Sequence, residues 1–599
     1  MPYPPAMSRP FLNVESSALG RPWRDRLDDA GRACAGAMVQ QLGLNDLLAR
    51  VLAGRGVAVA GALDYLEPSL RLLMPDPMVL RGMAQAIARL VQAVQTSETI
   101  GIFGDYDVDG ATSSALLAQY LEAAGCRALI HIPDRIFEGY GPNAAAIETL
   151  QAAGAHLLVT VDCGTTSHAV LAGAKAAGLD CIVLDHHQAP AELPDAIIVN
   201  PNRQDDLSGL GQLCAAGVVY MVLVGLSRAL RGLGFWHAGR PAPDLLEALD
   251  LVALATVADV AALTGLNRAF VTKGLAVMRE RKRPGLRALM DVAGADGPPR
   301  PYHLGFLVGP RINAGGRIGD AALGARLLME PDDAEAARIA AELDRLNRER
   351  QVIEKATVDM AEAEALASLG LADKGACVVT AGQGWHPGVV GLVAARLREK
   401  FGRPAFAIAF AGDTGTGSAR SVPGIDLGRI VRLAVDRGLV LKGGGHAMAA
   451  GITVTREKLG ALRAFLEENL AEPVARARAG QALFIDAALN AGAAQPGLVE
   501  ALEKAGPYGS GNPEPVFAFP NHLVKQATEV GTGHIKITAA AGDNSSIDGI
   551  AFRAAGTALG AALLAARGEK LHLAGELSLN RWGGRVRVQL RVLDCAGVA

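Results

Sequence analysis

Between Thr99 and Val199 the chain carries four short apolar runs: Thr99-Ile-Gly-Ile-Phe103, His156-Leu-Leu-Val-Thr-Val161, Cys181-Ile-Val-Leu184 and Ala196-Ile-Ile-Val199. Runs of this length, bounded by Gly and Asp, predict buried strands. The first leads through an Asp/Gly-rich turn into a helical pattern, Leu116, Leu117, Tyr120 and Leu121, that stops near Gly125. The second is followed by a helical stretch closing near Gly178. Strands separated by helices imply βαβ units and a mostly parallel sheet.

The flanking segments differ. Phe11 to about Glu98 reads as helical, punctuated at Glu67-Pro68 and Pro75-Asp76-Pro77. Pro331 to Gly370 reads as one long connecting helix, with Asp332 and Asp333 at its start, Gly370 at its stop, and an apolar stripe of Ile339, Leu343, Leu346 and Ile353. A second α/β segment runs from about Ala376 to Leu470, with strands at Cys377–Thr380 and Ala405–Phe410, and Leu470 to Gly480 reads as a link. The remainder, ending in Lys570-Leu-His-Leu-Ala574 and Arg585-Val-Arg-Val-Gln-Leu590, alternates like a small β-barrel. The predicted class is α/β, divided into an N-terminal helical region (1–80), a parallel-sheet domain (81–330), a connecting helix (331–371), a second α/β domain (372–470) and a barrel (480–599).

Bulk properties narrow this little. The chain has 599 residues, several domains' worth, and half are hydrophobic. A net charge of −3 gives no global pull on nucleic acid, so any such contact needs a local basic groove. Seven dispersed cysteines without a CxxC pair suit a reduced, cytoplasmic protein. The N-terminal residues contain no apolar signal core. The most apolar stretch, Ala215 to Leu230, is interrupted by Gly217, Gly225, Ser227 and Arg228, and is expected to be a buried helix and not a membrane span.

The chemistry lies at the ends of the predicted strands. The first runs into Gly104-Asp-Tyr-Asp-Val-Asp-Gly110, the second into Asp162-Cys163-Gly164, the third into Asp185-His186-His187. Ligands of open parallel sheets gather beyond the carboxyl ends of the strands. Asp105, Asp107, Asp109, Asp162, Asp185, His186 and His187 should therefore meet at one edge. Asp-x-Asp alone is often a turn or helix cap, and His-His can be a satisfied core pair. So many carboxylates together are unfavourable unless cations neutralise them. Mixed carboxylate and imidazole ligands suit Mn²⁺ better than Mg²⁺. A pair of divalent ions ~3.5–4 Å apart serves in-line phosphoryl displacement, with Asp162 as the expected bridge.

With DYDVDG, VDCG and DHH in this order, the chain resembles the DHH phosphoesterase superfamily. Longer pieces, IPDRIFEGYGPN (Ile132 to Asn143), ATVADVAALTGLNR (Ala255 to Arg268), GPRINAGGRIG (Gly309 to Gly319), GWHPGVVGLVAARL (Gly384 to Leu397), GSARS (Gly417 to Ser421), LKGGGHAMAAG (Leu441 to Gly451) and PYGSGNPEPVF (Pro507 to Phe517), are similar to the RecJ family of bacterial single-strand-specific exonucleases. The likeness runs from about Arg55 to Arg591, with Gly315 where the family more often has Ala. It implies a DHH domain, a DHH-associated domain facing it across a cleft, and a C-terminal OB fold. It adds Asp259 as a metal ligand, which spacing alone would leave as a helix-terminal Asp. It implies two divalent ions, Mn²⁺ or Mg²⁺: one on Asp107 and Asp162, the other on Asp109, Asp162, His186 and Asp259. Asp105 joins the metal candidates and His187 the catalytic ones, while the roles of Asp105, Asp185 and His187 stay open between ligand, orienting group and transition-state contact.

For the substrate, Arg311 and Arg317 flank a small-residue turn containing Asn313, and Arg135 sits beside Tyr140; guanidinium forks match phosphate oxygens. Ser418, Arg420 and the Gly443-Gly444-Gly445-His446 turn are further candidates, since glycines let the backbone approach a phosphate. Phe517, Phe519 and Trp582 could stack bases in the barrel or serve its core. The resemblance implies 5′-to-3′ hydrolysis of single-stranded DNA with a 5′ end, release of 5′-mononucleotides, and roles in recombinational and mismatch repair. It also implies work as a monomer alongside single-strand-binding protein and a RecQ-type helicase. The rival readings are a phosphoesterase for short oligonucleotides, cyclic dinucleotides or pyrophosphate, whose known representatives lack the barrel, and a DNA-binding scaffold without catalysis.

Overall fold

The computed structural model describes residues 10–135, 137–370, 375–582 and 585–598; the side chain of Trp582 lies outside the described residues. The chain divides into two units, one made of the segments up to Leu73 and from Gln481 onward, the other of Met74–Gly480.

In the first unit the N-terminal segment is not wholly helical. Trp23–Asp25 forms strand β1, because its backbone finds a parallel partner far along the chain, in a strand at Leu483–Ile485. No local alternation announces a three-residue strand whose partner lies that far away. Buried carboxylates of the C-terminal part fasten the segment. Asp594 accepts from Ser17 Oγ at 2.7 Å, Arg21 Nε at 2.9 Å and Trp23 Nε1 at 3.3 Å. Asp486 accepts from Arg26 Nε at 2.8 Å and Val516 N at 2.9 Å. Trp23 itself is fully buried. Trp23→Ala is expected to cost this unit about 3–5 kcal/mol, read as a fall in its thermal transition with that of the other unit unmoved.

Numbered along the chain, the strands of the second unit are β2 (Thr99–Gly104), β3 (Arg127–His131), β4 (Leu157–Val161), β5 (Asp180–Leu184) and β6 (Ile197–Val199) in one sheet, and β7 (Val378–Gln383), β8 (Ala405–Ala411), β9 (Thr414–Arg420), β10 (Lys442–Gly445) and β11 (Ala449–Thr455) in another. The first sheet is entirely parallel, in the order β3-β2-β4-β5-β6. Its order reverses beside β2, so β2 ends at a switch point. Helices α1 (Val108–Ala123), α2 (Ala215–Gly232) and α3 (Leu249–Ala258) are buried over most of their length, which accounts for their lack of a polar face. α2 is long and apolar enough to cross a membrane, but 72% of it is buried inside the unit, as a core helix would be.

Residues 312–317, read as a turn, are helical instead, within α4 (Gly309–Ile318). The connecting helix is α5 (Asp333–Leu369), capped by the Asp332 side chain on Glu335 N and stopped at Gly370 with φ 65°. The second sheet is mixed, in the order β10-β11-β9-β8-β7, with only β7 and β8 parallel. Its glycine run is strand β10 and not a turn; the turn follows at His446, whose N–H donates to Ala449 O. The expected link at 470–480 is the end of a helix, Leu459–Ala479, that passes through Pro473 because Leu462, Phe465, Leu466, Leu470 and Val474 anchor it in the core.

Back in the first unit, β12 (Leu483–Ile485), the partner of β1, and β13 (Ala487–Ala488) lead into β14 (Phe517–Val530), β15 (His534–Ala540), β16 (Ser546–Ala551), β17 (Lys570–Trp582) and β18 (Arg585–Gly597). These last five close through the β14–β17 pairing into the expected small barrel, which has five strands. Phe517 and Phe519 are fully buried in its core, so neither can stack a base.

Candidate metal centre

β2, β4 and β5 are neighbours, and the residue following each is an aspartate: Asp105, Asp162 and Asp185. Asp107 caps α1, its Oδ1 accepting from Asp109 N at 2.9 Å and Gly110 N at 3.1 Å. Capping leaves its other oxygen for the cluster. Asp109, in the first turn of α1, accepts from Ala215 N at 2.6 Å and Ala216 N at 2.9 Å, the first amides of α2. One carboxylate thus ties two helix N-termini together, where the helix dipoles favour negative charge. Asp259 caps the C-terminus of α3. Asp162 takes a left-handed backbone, φ 62°, which a side-chain-bearing residue adopts at a cost of roughly 1–3 kcal/mol and which is common at functional sites.

These groups converge. His186 Nε2 lies 3.2 Å from Asp162 Oδ1, 3.7 Å from Asp109 Oδ2 and 3.9 Å from Asp259 Oδ2. Three sets, Asp162/His186/His187, Asp109/His186/Asp259 and Asp105/Asp107/Asp162, each offer ligand atoms within 4.8 Å of one another. Asp162 belongs to two of these sets, as a carboxylate that bridges two ions would; His186 also reaches two sets, but its single Nε2 lone pair can serve one ion. Asp105 Oδ1 and Asp162 Oδ1 are buried without a hydrogen-bond donor, a costly condition that a cation relieves. Burial, and then the charge of Asp107, push Asp105 up to about 8. Burial and mutual repulsion likewise raise Asp162, Asp109 and Asp259, with Asp162 and Asp259 well above the carboxylate range. Carboxylate and imidazole donors in this arrangement fit two divalent ions, Mn²⁺ or Mg²⁺.

Asp185 behaves differently. Its Oδ1 accepts from His186 N at 2.8 Å and from His187 N at 3.2 Å, and lies 2.8 Å from His187 Nδ1; its Oδ2 accepts from Thr165 N at 3.1 Å. Burial alone would raise it, but these bonds and the charge of His187 hold it well below the usual carboxylate range. Burial would lower His187, yet Asp185 lifts it to about 9. His186 is lowered, chiefly by burial. Asp185 therefore orients His187 and raises its proton affinity. Sequence reading missed Asn200 and Asn202, whose Nδ2 groups donate to His187 O at 2.9 Å and to His186 O at 2.5 Å. Their position just past β6 carried the same strand-end signal as the aspartates.

The substrate candidates separate into two groups. Arg135 covers the Tyr106 ring at 4.6 Å, Arg317 is partly buried with Nη1 donating to Gly388 O at 3.0 Å, and Arg420 Nη1 donates to Ser418 Oγ at 3.0 Å. None of the three pairs with a carboxylate among the described residues. Burial, then Arg135 and Arg350, push Arg317 down to about 10; burial and Arg135 also lower Arg420. A cavity of about 190 Å³ opens here, lined by Arg135, Phe137, Arg317 and His386 among others. Three guanidinium groups close together, with Asp134 at the cavity rim and Asp105 the acid that Arg135 acts on, leave a surplus of positive charge suited to an anion. Tyr140 Oη donates to Asp162 O at 3.4 Å and stands 3.3 Å from His187 Nδ1; His446 stacks on His187, with ring centroids 5.9 Å apart. Gly445 precedes His446 with φ 147°, and a Cβ there would stand 2.3 Å from Ala449 O. Gly444 is open, with nothing within 4 Å of its Cβ position. Arg311 and Asn313 are engaged elsewhere. Arg311 Nε bonds Asp344 on α5 at 2.9 Å, and Asn313 Oδ1 accepts from Val108 N at 3.1 Å, which fixes the start of α1.

The loop after β2 is seated on glycine. A Cβ at Gly110 would lie 2.3 Å from Asp105 O. Gly110→Ala is expected to cost about 1–3 kcal/mol and to displace Asp105, seen as a lower melting temperature and weaker Mn²⁺ binding.

Three family models match this chain: the DHH family N-terminal domain at residues 99–256, the DHHA1 domain at 373–472 and the RecJ OB domain at 485–594. The chain is 36% identical over 564 residues to the single-stranded-DNA-specific exonuclease RecJ of Dickeya dadantii (strain 3937), covering 91% of this chain and 95% of that protein. Crystal structures of RecJ from Thermus thermophilus in complex with Mn²⁺ and with Mg²⁺ are similar at TM-scores of 0.79 and 0.73, each at 30% identity. They cover 96% of this chain and 79% and 78% of those chains. With three domain models in register and a near full-length relative, this chain belongs to the RecJ family.

Proposed function

We propose that this chain is a single-stranded-DNA-specific exonuclease that works 5′ to 3′ and releases 5′-mononucleotides by two-metal phosphodiester hydrolysis. The observation that carries the reading is the shared ligand set, in which Asp162 belongs to two neighbouring groups, beside arginines that form no carboxylate ion pair among the described residues. Asp107 and Asp162 would hold one ion; Asp109, Asp162, His186 and Asp259 the other. Bound ions of this kind supply charge neutralisation at the phosphoryl oxygens and a more acidic water.

The protein's own groups do the rest. His187, oriented by Asp185, holds its Nδ1 3.9 Å from Asp162 Oδ1. Tyr140 and His446 confine the His187 ring. Arg135, Arg317, Ser418 and Arg420 bind phosphate at the strand end, which sets the register of the bond to be cut. The relative from Dickeya dadantii, a single-stranded-DNA-specific exonuclease, supports the substrate class. Recombinational and mismatch repair, action as a cytoplasmic monomer, and partnership with single-strand-binding protein and a RecQ-type helicase form the setting we propose.

The test is digestion of a single strand labelled at one end or the other, with and without a 5′-phosphate, in Mn²⁺ and in Mg²⁺. Mononucleotides released first from the 5′ end are expected. Release from the 3′ end, or equal attack on blunt duplex, would contradict the direction or the strand selectivity.

A further inference from the structure

Phe517 and Phe519 of the barrel are buried, so a stacking grip on the bases calls for other, exposed aromatics. Among the described residues, exposed Phe or Tyr side chains are Phe137, Tyr140, Tyr302, Phe306 and Phe552. Of these, Tyr302 and Phe306 stack on each other, with ring centroids 5.3 Å apart and planes 21° from parallel. They are 58% and 70% exposed. Both lie at the wide, π-type turn His303–Val308 that leads into α4, while Leu304 and Val308 of the same turn are buried and hold it down. Single wide turns of this kind occur often at functional sites.

The turn adjoins the metal centre. A Cβ at Gly305 would meet Val257 of α3 at 3.5 Å, and one at Gly309 would meet Ala258 at 3.4 Å and Val108 at 3.7 Å. Ala258 precedes the ligand Asp259, and Val108 stands between Asp107 and Asp109. Past Asp259, Val260 is also 69% exposed. The cluster thus has two different flanks: arginines beside Asp105 and Tyr106, and, on the Asp259 side, the exposed Val260 and the turn that carries Tyr302 and Phe306. A strand whose terminal phosphate sits on the arginines would leave the ions on the Asp259 side, where its bases meet the flat faces of Tyr302 and Phe306. Every base has such a face, so stacking there needs no particular sequence.

We propose that Tyr302 and Phe306 form a base-stacking platform that grips the single strand just beyond the scissile bond. They are positioning residues for the reaction proposed above, and the inference rests on that reading. The double variant Tyr302→Ala/Phe306→Ala and the single variant Phe306→Trp test it. Affinity for a single-stranded, 5′-phosphorylated dodecanucleotide is measured by fluorescence anisotropy in the Asp162→Ala background, where cleavage is removed. KM and kcat are measured in Mn²⁺ with the same strand and with a dinucleotide.

The double variant is expected to weaken dodecanucleotide binding and raise its KM roughly tenfold to a hundredfold. Its kcat at saturation, its melting temperature and its KM for the dinucleotide are expected to stay unchanged, and Phe306→Trp to keep wild-type KM. An abasic residue at one or two positions near the 5′ end should weaken wild-type binding, and make no further difference in the double variant. Unchanged dodecanucleotide affinity, or an abasic profile that persists in the double variant, would overturn the platform. A wild-type protein that binds in this pattern but releases no nucleotide would sink the nuclease reading and leave the platform standing.

Discussion

Asp162→Ala should lower the rate of nucleotide release by about a thousandfold or more, and yet leave the metal-free protein at least as stable as the wild type. The two effects have one cause. Asp162 is buried, its Oδ1 lacks a donor, and its neighbours Asp109, Asp107 and Asp105 all carry like charge. In the absence of ions the carboxylate strains the fold; with ions it bridges them.

The pH dependence of stability follows in sign. Asp105 is raised from 3.8 to about 8, so the folded protein binds protons that the unfolded chain has lost. The stability this contributes is complete below about pH 4 and disappears as pH rises through about 8. Asp185 acts oppositely at the acid end, where stability is lost as pH falls through its depressed pKa. The melting temperature of the metal-free protein is therefore expected to fall between about pH 4 and 8. Mn²⁺ should flatten that fall in the wild type and do so far less in Asp162→Ala. Calorimetry with and without Mn²⁺ across this range reads both effects. An Asp162→Ala protein that melts far below the metal-free wild type would mean that the carboxylate holds the fold, not the ions.

Arg420→Ala is expected to weaken binding of a 5′-phosphorylated end far more than that of a hydroxyl end. Charge-assisted hydrogen bonds contribute ~1.5–3 kcal/mol each, which corresponds to roughly ten- to hundredfold in KM for a phosphorylated strand and little change for one ending in a hydroxyl. Arg317, with Nη1 already bound to Gly388 O and its charge disfavoured by desolvation, should make up only part of the loss. Removing Arg420 also relieves repulsion from Arg135, so the variant should melt no lower than the wild type. Inorganic phosphate should raise the wild-type melting temperature more than that of the variant. Comparing KM for the two strand ends checks this, and an unchanged ratio would place the phosphate site elsewhere.

The part of the fold that carries the chemistry was legible because its strands are buried on both faces. β2, β4 and β5 read as unbroken apolar runs, and their carboxyl ends held Asp105, Asp162 and Asp185 in plain view. Asp259 was not legible from its neighbours: it ends a helix as many aspartates do, and only the family likeness drew it into the set. Other elements were hidden by tertiary effects. β1 exists because of a partner strand that begins at Leu483. The helix α4 contains Gly315 and Gly316, which argue for a turn, but Gly316 is small for a different reason: a Cβ there would lie 2.5 Å from Tyr106 O. Glycine serves close packing of α4 on the metal loop. In the same way Gly443 faces Val431 and Val435 within a strand, not a turn. Arg311 shows the limit of reading a charge by its setting, since Asp344, its partner, sits 33 residues away on another helix.

The most direct measurement of the shared ion pair is Mn²⁺ stoichiometry. Titration calorimetry with metal analysis of the dialysed protein is expected to give two Mn²⁺ per wild-type chain, and one or none for Asp162→Ala folded to the same extent. Two ions retained by Asp162→Ala, or none held by the wild type, would contradict it.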